Sequence, residues 1–432
     1  MNVCVLGLWH LGIVTAACLA QAGHKVVGIE FDEETVGGLQ QGILPIFEPG
    51  LDELIRHGLA GGHLSFTKDL PDAVKGTQVV WITYDTPVDD DDKADVEFVV
   101  ERIARVFPYI EQGALMLISS QLPAGSTARL ESMCRAACPG KQVSFAYSPE
   151  NLRLGKAIAA FTRPDRVVVG IRSEADRERI DRLLSPFTDH IEWMSVESAE
   201  MTKHALNAFL ATSVAFANEL ASLCELVGAD AKEVECGLKS EPRIGQKAYL
   251  SPGGAFAGGT LARDISFLAE IGSSGHHPTP LFSAVKTSND VHRQWPQRKI
   301  QEILVELRGK TVSVWGLTYK PATDTLRRSA SVELCRWLAQ HGVSVRAHDP
   351  AVKTLPPDLS RILTICRTPE DTLDESNALV VSTEWPEYLS VEAKTVVDRM
   401  KEPIVVDANR FLVKTLGADP RVRYIAVGKP CP

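Results

Sequence analysis

The sequence predicts an α/β protein built from two Rossmann-like, doubly wound domains that a long central helix joins. Three observations support this fold class. A strand, a glycine turn, a helix and a second strand follow one another at the N-terminus, and the same order recurs after residue 310. Between the two lies a long helical pattern without proline or internal glycine. The predicted domains are residues 1–196, 197–300 and 301–432.

The composition is typical of a soluble globular protein that is too large for one core. The 432 residues are 44% apolar and 23% charged, and they carry a net charge of −9. The negative charge argues against a nucleic-acid partner and an anionic membrane surface, and we expect no membrane association. An anionic substrate would need local clusters of Lys and Arg.

The nine cysteines are odd in number and lack paired spacing, which favours a reducing cytoplasm. Cys134 and Cys138 lie one helical turn apart, but no second pair completes a zinc site. The sequence therefore predicts buried thiols here and no metal.

The first elements form a βαβ unit of the kind that binds a dinucleotide. Residues 3–6 are a predicted strand, residues 7–12 a glycine turn, residues 13–22 a helix and residues 25–29 a second strand. Glu30 follows, about 20 residues beyond the turn. Its carboxylate would accept hydrogen bonds from the adenosine ribose hydroxyls and repel a 2′-phosphate. The unit therefore favours NAD over NADP.

The glycine turn departs from the dinucleotide fingerprint G-x-G-x-x-G. Trp9 replaces the glycine that lets backbone approach a pyrophosphate. Either Trp9 turns outward and leaves the backbone amides available, or it spoils the site. The context and Glu30 favour a working but altered site. The cofactor-binding residues predicted in this turn are Gly7, Trp9, His10, Leu11 and Gly12.

Alternating strands and helices continue the first domain, and a long helix follows it. The further strands predicted are residues 79–82, 115–119, 143–146 and 167–170. Residues 197–227 form one helical pattern. A helix of about 30 residues spans roughly 45 Å, too long for the surface layer of one domain. We interpret it as a spine between two domains and as part of a dimer interface.

The second Rossmann-like unit begins with a predicted strand at residues 311–315. A Gly-Leu pair, a helix starting near Ser331, a strand at residues 343–347 and then Asp349 repeat the N-terminal order. Later strands are predicted at residues 378–382 and 403–407. Two similar halves predict a cleft between α/β domains, where ligands commonly bind.

Residues 251–264, with the sequence SPGGAFAGGTLARD, form a glycine-rich stretch ahead of this unit. Glycine tolerates positive φ and lets backbone approach a ligand closely. The glycines alone would fit an ordinary flexible loop. Arg263 and Asp264, with the amphipathic segment after them, favour a loop wrapped around a small molecule.

Other motifs along the chain, taken together with this stretch, match the pattern of a known family. They are Arg243-Ile244-Gly245, the segment from Ala199 to Asn207, Pro45-Ile46-Phe47-Glu48-Pro49-Gly50-Leu51, and Gly316-Leu317-Thr318-Tyr319-Lys320-Pro321 with Asp324 and Arg327. Together they resemble the UDP-glucose/GDP-mannose dehydrogenase family, which oxidises nucleotide sugars with NAD. The resemblance covers nearly the whole chain and implies a homodimer that binds NAD and a nucleotide diphosphate-sugar.

The resemblance implies which side chains oxidise a primary alcohol at C6 to an aldehyde. Lys203 and Asn207 are four residues apart and share one helical face. Lysine supplies charge, and asparagine supplies a neutral donor for a developing oxyanion. The family implies that Asp264 orients Lys203 and a water, and Glu150 is retained beside them.

The resemblance also assigns binding residues. Thr86-Pro87 matches the family's T-P turn at the NAD site, Gln121 stands where the family has a threonine, and Arg327 is expected to reach the cofactor. Arg243 could reach the substrate across a dimer. The substrate-binding residues implied are Leu152, Arg153, Lys203, Asn207, Arg243, Tyr249, Gly254, Gly258 and Lys320.

The second oxidation needs residues that this sequence lacks. The family's glycine loop reads G-F-G-G-x-C-x-x-K-D with a nucleophilic cysteine, and the matching residue here is Thr260. A threonine hydroxyl is a poor nucleophile without a base. Leu154 replaces the second glutamate of S-P-E-x-L-R-E-G, and Gln121 replaces the threonine of S-T-x-P. Cys224 and Cys236 could substitute in principle, but neither lies in the loop, and both are expected to be packed thiols.

These losses fall mainly on thioester formation and hydrolysis, whereas the retained residues serve alcohol oxidation and nucleotide binding. We therefore expect an NAD-dependent nucleotide-sugar oxidoreductase that stops after one hydride transfer. A cofactor that stays bound and returns its hydride would give an epimerase or a dehydratase. A catalytically silent paralogue and a four-electron dehydrogenase with another nucleophile are the remaining alternatives. The NADH yield per substrate distinguishes them.

Overall fold

The computed structural model describes residues 1–89, 94–150, 152–256, 259–321, 323–327 and 329–430. The chain forms two compact units, residues 1–206 and residues 207–432. Each unit is organised around one sheet, and both sheets contain the strand order 3-2-1-4-5-6 of a doubly wound Rossmann fold. The predicted fold class is therefore confirmed.

The first unit alternates strands with helices. Its elements are β1 (Asn2–Leu6), α1 (His10–Gln21), β2 (Lys25–Ile29), α2 (Glu33–Gln40), α3 (Leu51–Ala60), β3 (Leu64–Thr67), α4 (Leu70–Val74), β4 (Val79–Ile82), α5 (Val96–Ala104), β5 (Leu115–Ile118), α6 (Ser126–Ala137), β6 (Ser144–Tyr147), α7 (Ala157–Thr162), β7 (Val167–Ile171), α8 (Glu174–Leu184), β8 (Ile191–Ser195) and the start of α9 (Val196–Val227). The sheet order is β3-β2-β1-β4-β5-β6-β7-β8. Its strands pair in parallel except for β6 with β7.

The central strands of this sheet are covered on both faces. Val3 and Val5 of β1 pack into one apolar core, and Cys4 and Leu6 pack into the other. Parallel strands buried on both faces appear as nearly continuous apolar runs, which is why the sequence predicted β1, β4 and β5. It missed the outer strands β3 and β8, where exposed polar residues interrupt the apolar ones.

Helix α1 begins at His10 rather than at residue 13, so the prediction of its start was wrong. The second half of the predicted glycine turn is the first helical turn. A Cβ on Gly12 would lie 1.8 Å from the carbonyl oxygen of Gly7. The helix can therefore start this close to the strand because residue 12 is glycine.

Helix α9 spans 32 residues, starts in the first unit and ends in the second. By length and composition it could cross a membrane, a test that the core helix of a globular protein also passes. Glu200, Lys203, Asn207 and Asn218 are buried along it. Buried polar side chains of this number are expected of a helix that packs against other elements of a protein.

The second unit repeats the Rossmann order after a helical segment. Its elements after α9 are α10 (Ala231–Ser240), α11 (Thr260–Ser274), α12 (Pro280–Arg293), α13 (Trp295–Leu304), β9 (Thr311–Trp315), α14 (Ala330–Gln340), β10 (Ser344–His348), β11 (Leu363–Ile365), α15 (Pro369–Thr372), β12 (Ala378–Val381), a 3-10 helix (Pro386–Ser390), α16 (Ala393–Arg399), β13 (Ile404–Asp407), a 3-10 helix (Leu416–Ala418) and β14 (Arg423–Ile425). The sheet order is β11-β10-β9-β12-β13-β14, with all pairs parallel.

The glycine-rich stretch is a loop only in its first part. Helix α11 begins at Thr260 and includes Arg263 and Asp264, which are buried. The prediction of a loop through residue 264 was therefore wrong at its C-terminal end. Past Gly259 the chain has no further glycine until Gly272, and residues 261–268 show the apolar spacing of a helix.

Candidate active site

The glycine turn after β1 fits a pyrophosphate. Gly7 adopts a φ of +99°, and a Cβ there would lie 2.7 Å from the ring of Tyr84. Because α1 starts at His10, the backbone N–H groups of its first turn have no partners within the helix and can bind an anion. These residues fit NAD, which would supply the hydride acceptor when bound.

Trp9 precedes α1 and is 49% exposed. This corresponds to the outward alternative, which leaves the amides of the first turn of α1 available. Leu11 is buried in the first turn of α1. The His10 imidazole is hydrogen-bonded through Nε2 to Glu48 Oε2 at 3.0 Å.

Glu30 lies at the end of β2 and keeps acceptor capacity for a ribose. Its Oε2 accepts a hydrogen bond from Leu8 N at 3.0 Å, and its Oε1 accepts one from Phe31 N at 2.9 Å. Each carboxylate oxygen can accept about two hydrogen bonds, and the residue is only partly buried. The carboxylate can therefore receive ribose hydroxyls while it fastens the turn.

The loops after β4 and β5 are joined beside this turn. Thr86 Oγ1 donates to the carbonyl oxygen of Gln121 at 2.6 Å, and both residues are buried. Pro87 is exposed next to Thr86. The structure thus brings two predicted cofactor residues, Thr86 and Gln121, into direct contact.

Glu150 and Lys203, two of the predicted catalytic residues, contact each other in the first unit. Lys203 is buried, and its Nζ donates to the Glu150 carbonyl oxygen at 2.5 Å and lies 4.0 Å from the Glu150 carboxylate. Glu150 Oε2 accepts from Leu152 N at 2.7 Å. A cavity of about 90 Å³ touches Leu11, Glu150 and Leu152, so it connects α1 with the segment that carries the pair.

Asn207 and Asp264 form the second predicted pair, on α9 and α11. Asn207 Nδ2 donates to Asp264 Oδ2, and both residues are buried. Thr260, the first residue of α11, is one helical turn before Asp264. The amide of Asn207 has two N–H bonds, and only one is needed for Asp264, so the other can donate to a substrate oxygen.

Side chains that the sequence analysis did not identify hold the glycine loop. Asn218 Oδ1 accepts from Gly253 N at 2.9 Å, and Asn409 Oδ1 accepts from Gly254 N at 2.6 Å. His292 Nε2 donates to the Gly253 carbonyl oxygen at 2.8 Å. Of these residues only Asn218 had a local signal, since it lies three helical turns beyond Asn207 on the same face of α9.

A cavity of about 230 Å³ lies at the carboxyl ends of β9, β12 and β13. This edge of a doubly wound sheet, at the point where the strand order reverses, is where such folds bind ligands. The N-terminus of α14 borders the cavity, and helix N-termini attract phosphates. Its lining includes Gly254, Phe256, Trp295, Thr318, Tyr319, Ser331, Thr383 and Asn409.

Several predicted substrate residues are on the surface of the single chain. Arg153, Lys320 and Tyr249 are exposed. Arg327, which was predicted to reach the cofactor, is exposed as well. The Arg243 side chain is 87% exposed and its Nε donates to Glu241 Oε1 at 2.9 Å. Gly258 lies outside the described residues.

The cysteines that could replace a nucleophile lie away from the glycine loop in sequence and on other helices. Cys224 is buried in α9, but Cys236 is exposed on α10, so the expectation that it is packed was wrong. Cys134 and Cys138 are buried, as predicted. Among the residues that the structure describes, no cluster of three or more His, Cys, Asp or Glu side chains could hold a metal ion.

Comparison with known proteins shows the family of the chain. Residues 1–188 match the NAD binding domain, residues 197–291 the central domain and residues 313–414 the UDP binding domain of the UDP-glucose/GDP-mannose dehydrogenase family. The UDP-glucose 6-dehydrogenases of Pseudomonas aeruginosa and Rhizobium meliloti are each 32% identical to the chain. The matches cover 100% of it, and 98% and 100% of those proteins.

A solved structure of the UDP-glucose dehydrogenase of Pyrobaculum islandicum superposes with a TM-score of 0.87 at 30% identity, over 99% of this chain and 97% of that one. The expected family and the expected cofactor, NAD, are thereby confirmed. The chain is an NAD-dependent oxidoreductase that belongs to the UDP-glucose/GDP-mannose dehydrogenase family.

Proposed function

We propose that this protein oxidises the C6 alcohol of a UDP-sugar with NAD and stops after one hydride transfer. Its curated relatives are UDP-glucose 6-dehydrogenases. The residue that carries the proposal is Thr260, which the sequence motif aligns with the family's nucleophilic cysteine. The sequence also retains the groups that serve alcohol oxidation.

The first oxidation uses the two buried pairs. When bound, NAD would accept the hydride from C6. The hydroxyl proton would leave for a water, so the substrate oxygen would gain negative charge. Lys203 supplies an ammonium that can stabilise this charge, and Asn207 supplies a neutral N–H donor. Asp264 holds the Asn207 amide, and the Glu150 carbonyl oxygen holds Lys203 Nζ. Both donors are therefore oriented before substrate binds.

The second oxidation would need a thiolate near the aldehyde carbon. Burial raises the pKa of Cys4, Cys18 and Cys335 to about 12 and that of Cys134 to about 11. Thiols with such pKa values carry almost no thiolate at neutral pH. A threonine hydroxyl at position 260 supplies even less, so this position offers no thiolate for a thioester, and we expect the aldehyde to be released.

The proposed functional form is a homodimer built along α9. Phe209, Phe216 and Leu223 recur every seven residues on this helix and are 70%, 51% and 55% exposed. A seven-residue apolar repeat is the spacing that lets two helices pack side by side. A second copy of the same helix offers a matching stripe.

The decisive experiment counts NADH and product per UDP-glucose consumed. One NADH and an aldehyde are expected. Two NADH with uronate would reject the one-hydride limit, and binding without net NADH would indicate a silent or epimerising protein. Thr260→Cys alone should yield little uronate, because Leu154 and Gln121 remain. Thr260→Cys with Leu154→Glu and Gln121→Thr should yield more.

A further inference from the structure

Glu48 is a buried carboxylate whose bonds are all made to the chain itself. It is 2% exposed. Its Oε2 accepts from His10 Nε2 at 3.0 Å and from Gly155 N at 2.8 Å, and its Oε1 accepts from Ala157 N at 2.9 Å. A carboxyl group without partners in such a place would be costly, so these three donors satisfy it and hold it in position.

The three donors come from two segments with different tasks. His10 is the first residue of α1, the helix at the pyrophosphate turn. Gly155 and Ala157 end the segment that follows Glu150, and Ala157 opens α7. Glu48 therefore connects the cofactor helix to the segment that carries the catalytic glutamate.

That segment is held at both of its ends. At the Glu150 end, Lys203 Nζ donates to the Glu150 carbonyl oxygen and Leu152 N donates to the Glu150 carboxylate. At the other end, the Glu48 carboxylate holds the Gly155 and Ala157 amides. Loss of the Glu48 hydrogen bonds to Gly155 and Ala157 would let the segment shift. The Glu150 carbonyl oxygen, which orients Lys203, would then move with it.

We propose that Glu48 is a positioning residue for the Glu150 segment, and that the His10 side chain acts through Glu48 rather than on the cofactor. The inference rests on the proposed oxidation for its kinetic consequences only. It gives a role to the P-x-x-E-P-G-L segment and assigns the His10 side chain a function distinct from cofactor contact.

The hydrogen-bonding chemistry of His10 and Glu48 determines which variants are informative. A carboxylate can only accept, so His10 Nε2 must carry the proton that it donates. Glutamine at position 10 can still donate an N–H to Glu48, whereas leucine cannot. Leucine leaves Glu48 Oε2 with fewer donors in a buried place, which weakens its hold on Gly155.

The test compares His10→Leu, His10→Gln and Glu48→Gln. The matched control is His190→Leu, because His190 Nε2 makes an exposed bond of 3.1 Å to Glu192 Oε1 in the same unit. Amide hydrogen exchange at Gly155 and Ala157 is measured without substrate. The NADH dissociation constant, kcat and KM for UDP-glucose are measured alongside.

In His10→Leu we expect exchange at both amides to become about tenfold faster or more and kcat to fall about tenfold, with the NADH dissociation constant within about twofold of wild type. In His10→Gln, both the exchange rates and kcat should lie close to their wild-type values. Glu48→Gln should accelerate exchange at these amides more than His10→Leu does. His190→Leu should change neither the exchange rates nor the kinetic constants.

Two results would overturn the proposal. One is unchanged exchange in His10→Leu with a loss confined to NADH affinity, which would make His10 a direct cofactor contact. The other is equal behaviour of His10→Leu and His10→Gln. If the wild type oxidises no UDP-sugar, the proposed function fails, but the exchange measurements still decide the role of Glu48.

Discussion

Two glycine turns, one after β1 and one after β9, have the same backbone conformation. Each is hydrogen-bonded to an acidic residue at the equivalent position of its own unit. Gly7 and Gly316 have φ values of +99° and +89°. The residue after each glycine donates its N–H to the acid after the next strand. Leu8 donates to Glu30 at 3.0 Å, and Leu317 donates to Asp349 at 2.7 Å.

The two acids differ in what else they hold. Glu30 is partly exposed, and its only other contact among the described hydrogen bonds is with the N–H of the next residue. Asp349 is 2% exposed. Its Oδ2 also accepts from Thr318 N, Thr318 Oγ1 and Trp385 Nε1, and its Oδ1 accepts from Ala351 N.

The difference teaches that strand order alone does not make a dinucleotide site. An acid at this position can bind a ribose only while its lone pairs remain available. Glu30 keeps that capacity. The Asp349 carboxylate uses its hydrogen-bonding capacity on groups of its own unit. The cavity at this edge of the second sheet is lined by hydroxyl groups and a helix N-terminus instead. The second unit is thus suited to a different nucleotide ligand.

The largest expected effect comes from removing the buried acid. Asp349→Asn should lower the free energy of unfolding by about 2–4 kcal/mol, because buried donors lose their acceptor. Glu30→Gln should cost less than about 1 kcal/mol. Urea denaturation of both variants measures this, and equal losses would contradict the distinction between the two acids.

The proposed dimer interface on α9 gives the second prediction. Phe216→Asp should weaken dimerisation about a hundredfold, because each copy loses apolar burial and gains a charge at the contact. Sedimentation at micromolar concentration should give a monomer, while the NADH dissociation constant stays unchanged. Ile43→Asp, at an exposed apolar residue of the first unit, is the control. A wild-type monomer under the same conditions would reject the interface.

The nucleotide-sugar site of the second unit should depend on Lys320. Lys320→Ala should weaken UDP-glucose binding about tenfold or more, since a charged contact contributes about 1.5–3 kcal/mol. NADH affinity should not change. Titration calorimetry with Lys353→Ala, another exposed lysine of this unit, provides the comparison. An unchanged dissociation constant for UDP-glucose would remove Lys320 from the site.

The smallest expected effect concerns cofactor choice in the first unit. Wild type should bind NADH in preference to NADPH, because the Glu30 carboxylate repels a 2′-phosphate. Glu30→Ala should narrow this preference by less than about tenfold, while Glu34→Ala, on the exposed side of α2, should leave it unchanged. Equal affinity of wild type for both cofactors would show that Glu30 does not discriminate.

Residues near one another in sequence were sufficient to predict the buried central strands, the long helix and the family. They also predicted that Lys203 and Asn207 share one face of that helix. These features are local, since an apolar run makes a buried strand and a spacing of four makes a helical face. The start of α1 and the helical state of Thr260 were predicted wrongly. The start of α1 depends on how closely the chain packs around Gly12, and α11 begins at Thr260, directly after Gly259.

Tertiary structure alone decided which polar side chains hold the site in place. Glu48 binds Gly155 and Ala157 about a hundred residues later, and Asn409 binds Gly254 across an even longer separation. Nothing in the sequence near Glu48 or Asn409 names these partners. A hydrogen bond forms only where packing brings a donor within about 3 Å of an acceptor, and that distance is set by the folded chain as a whole.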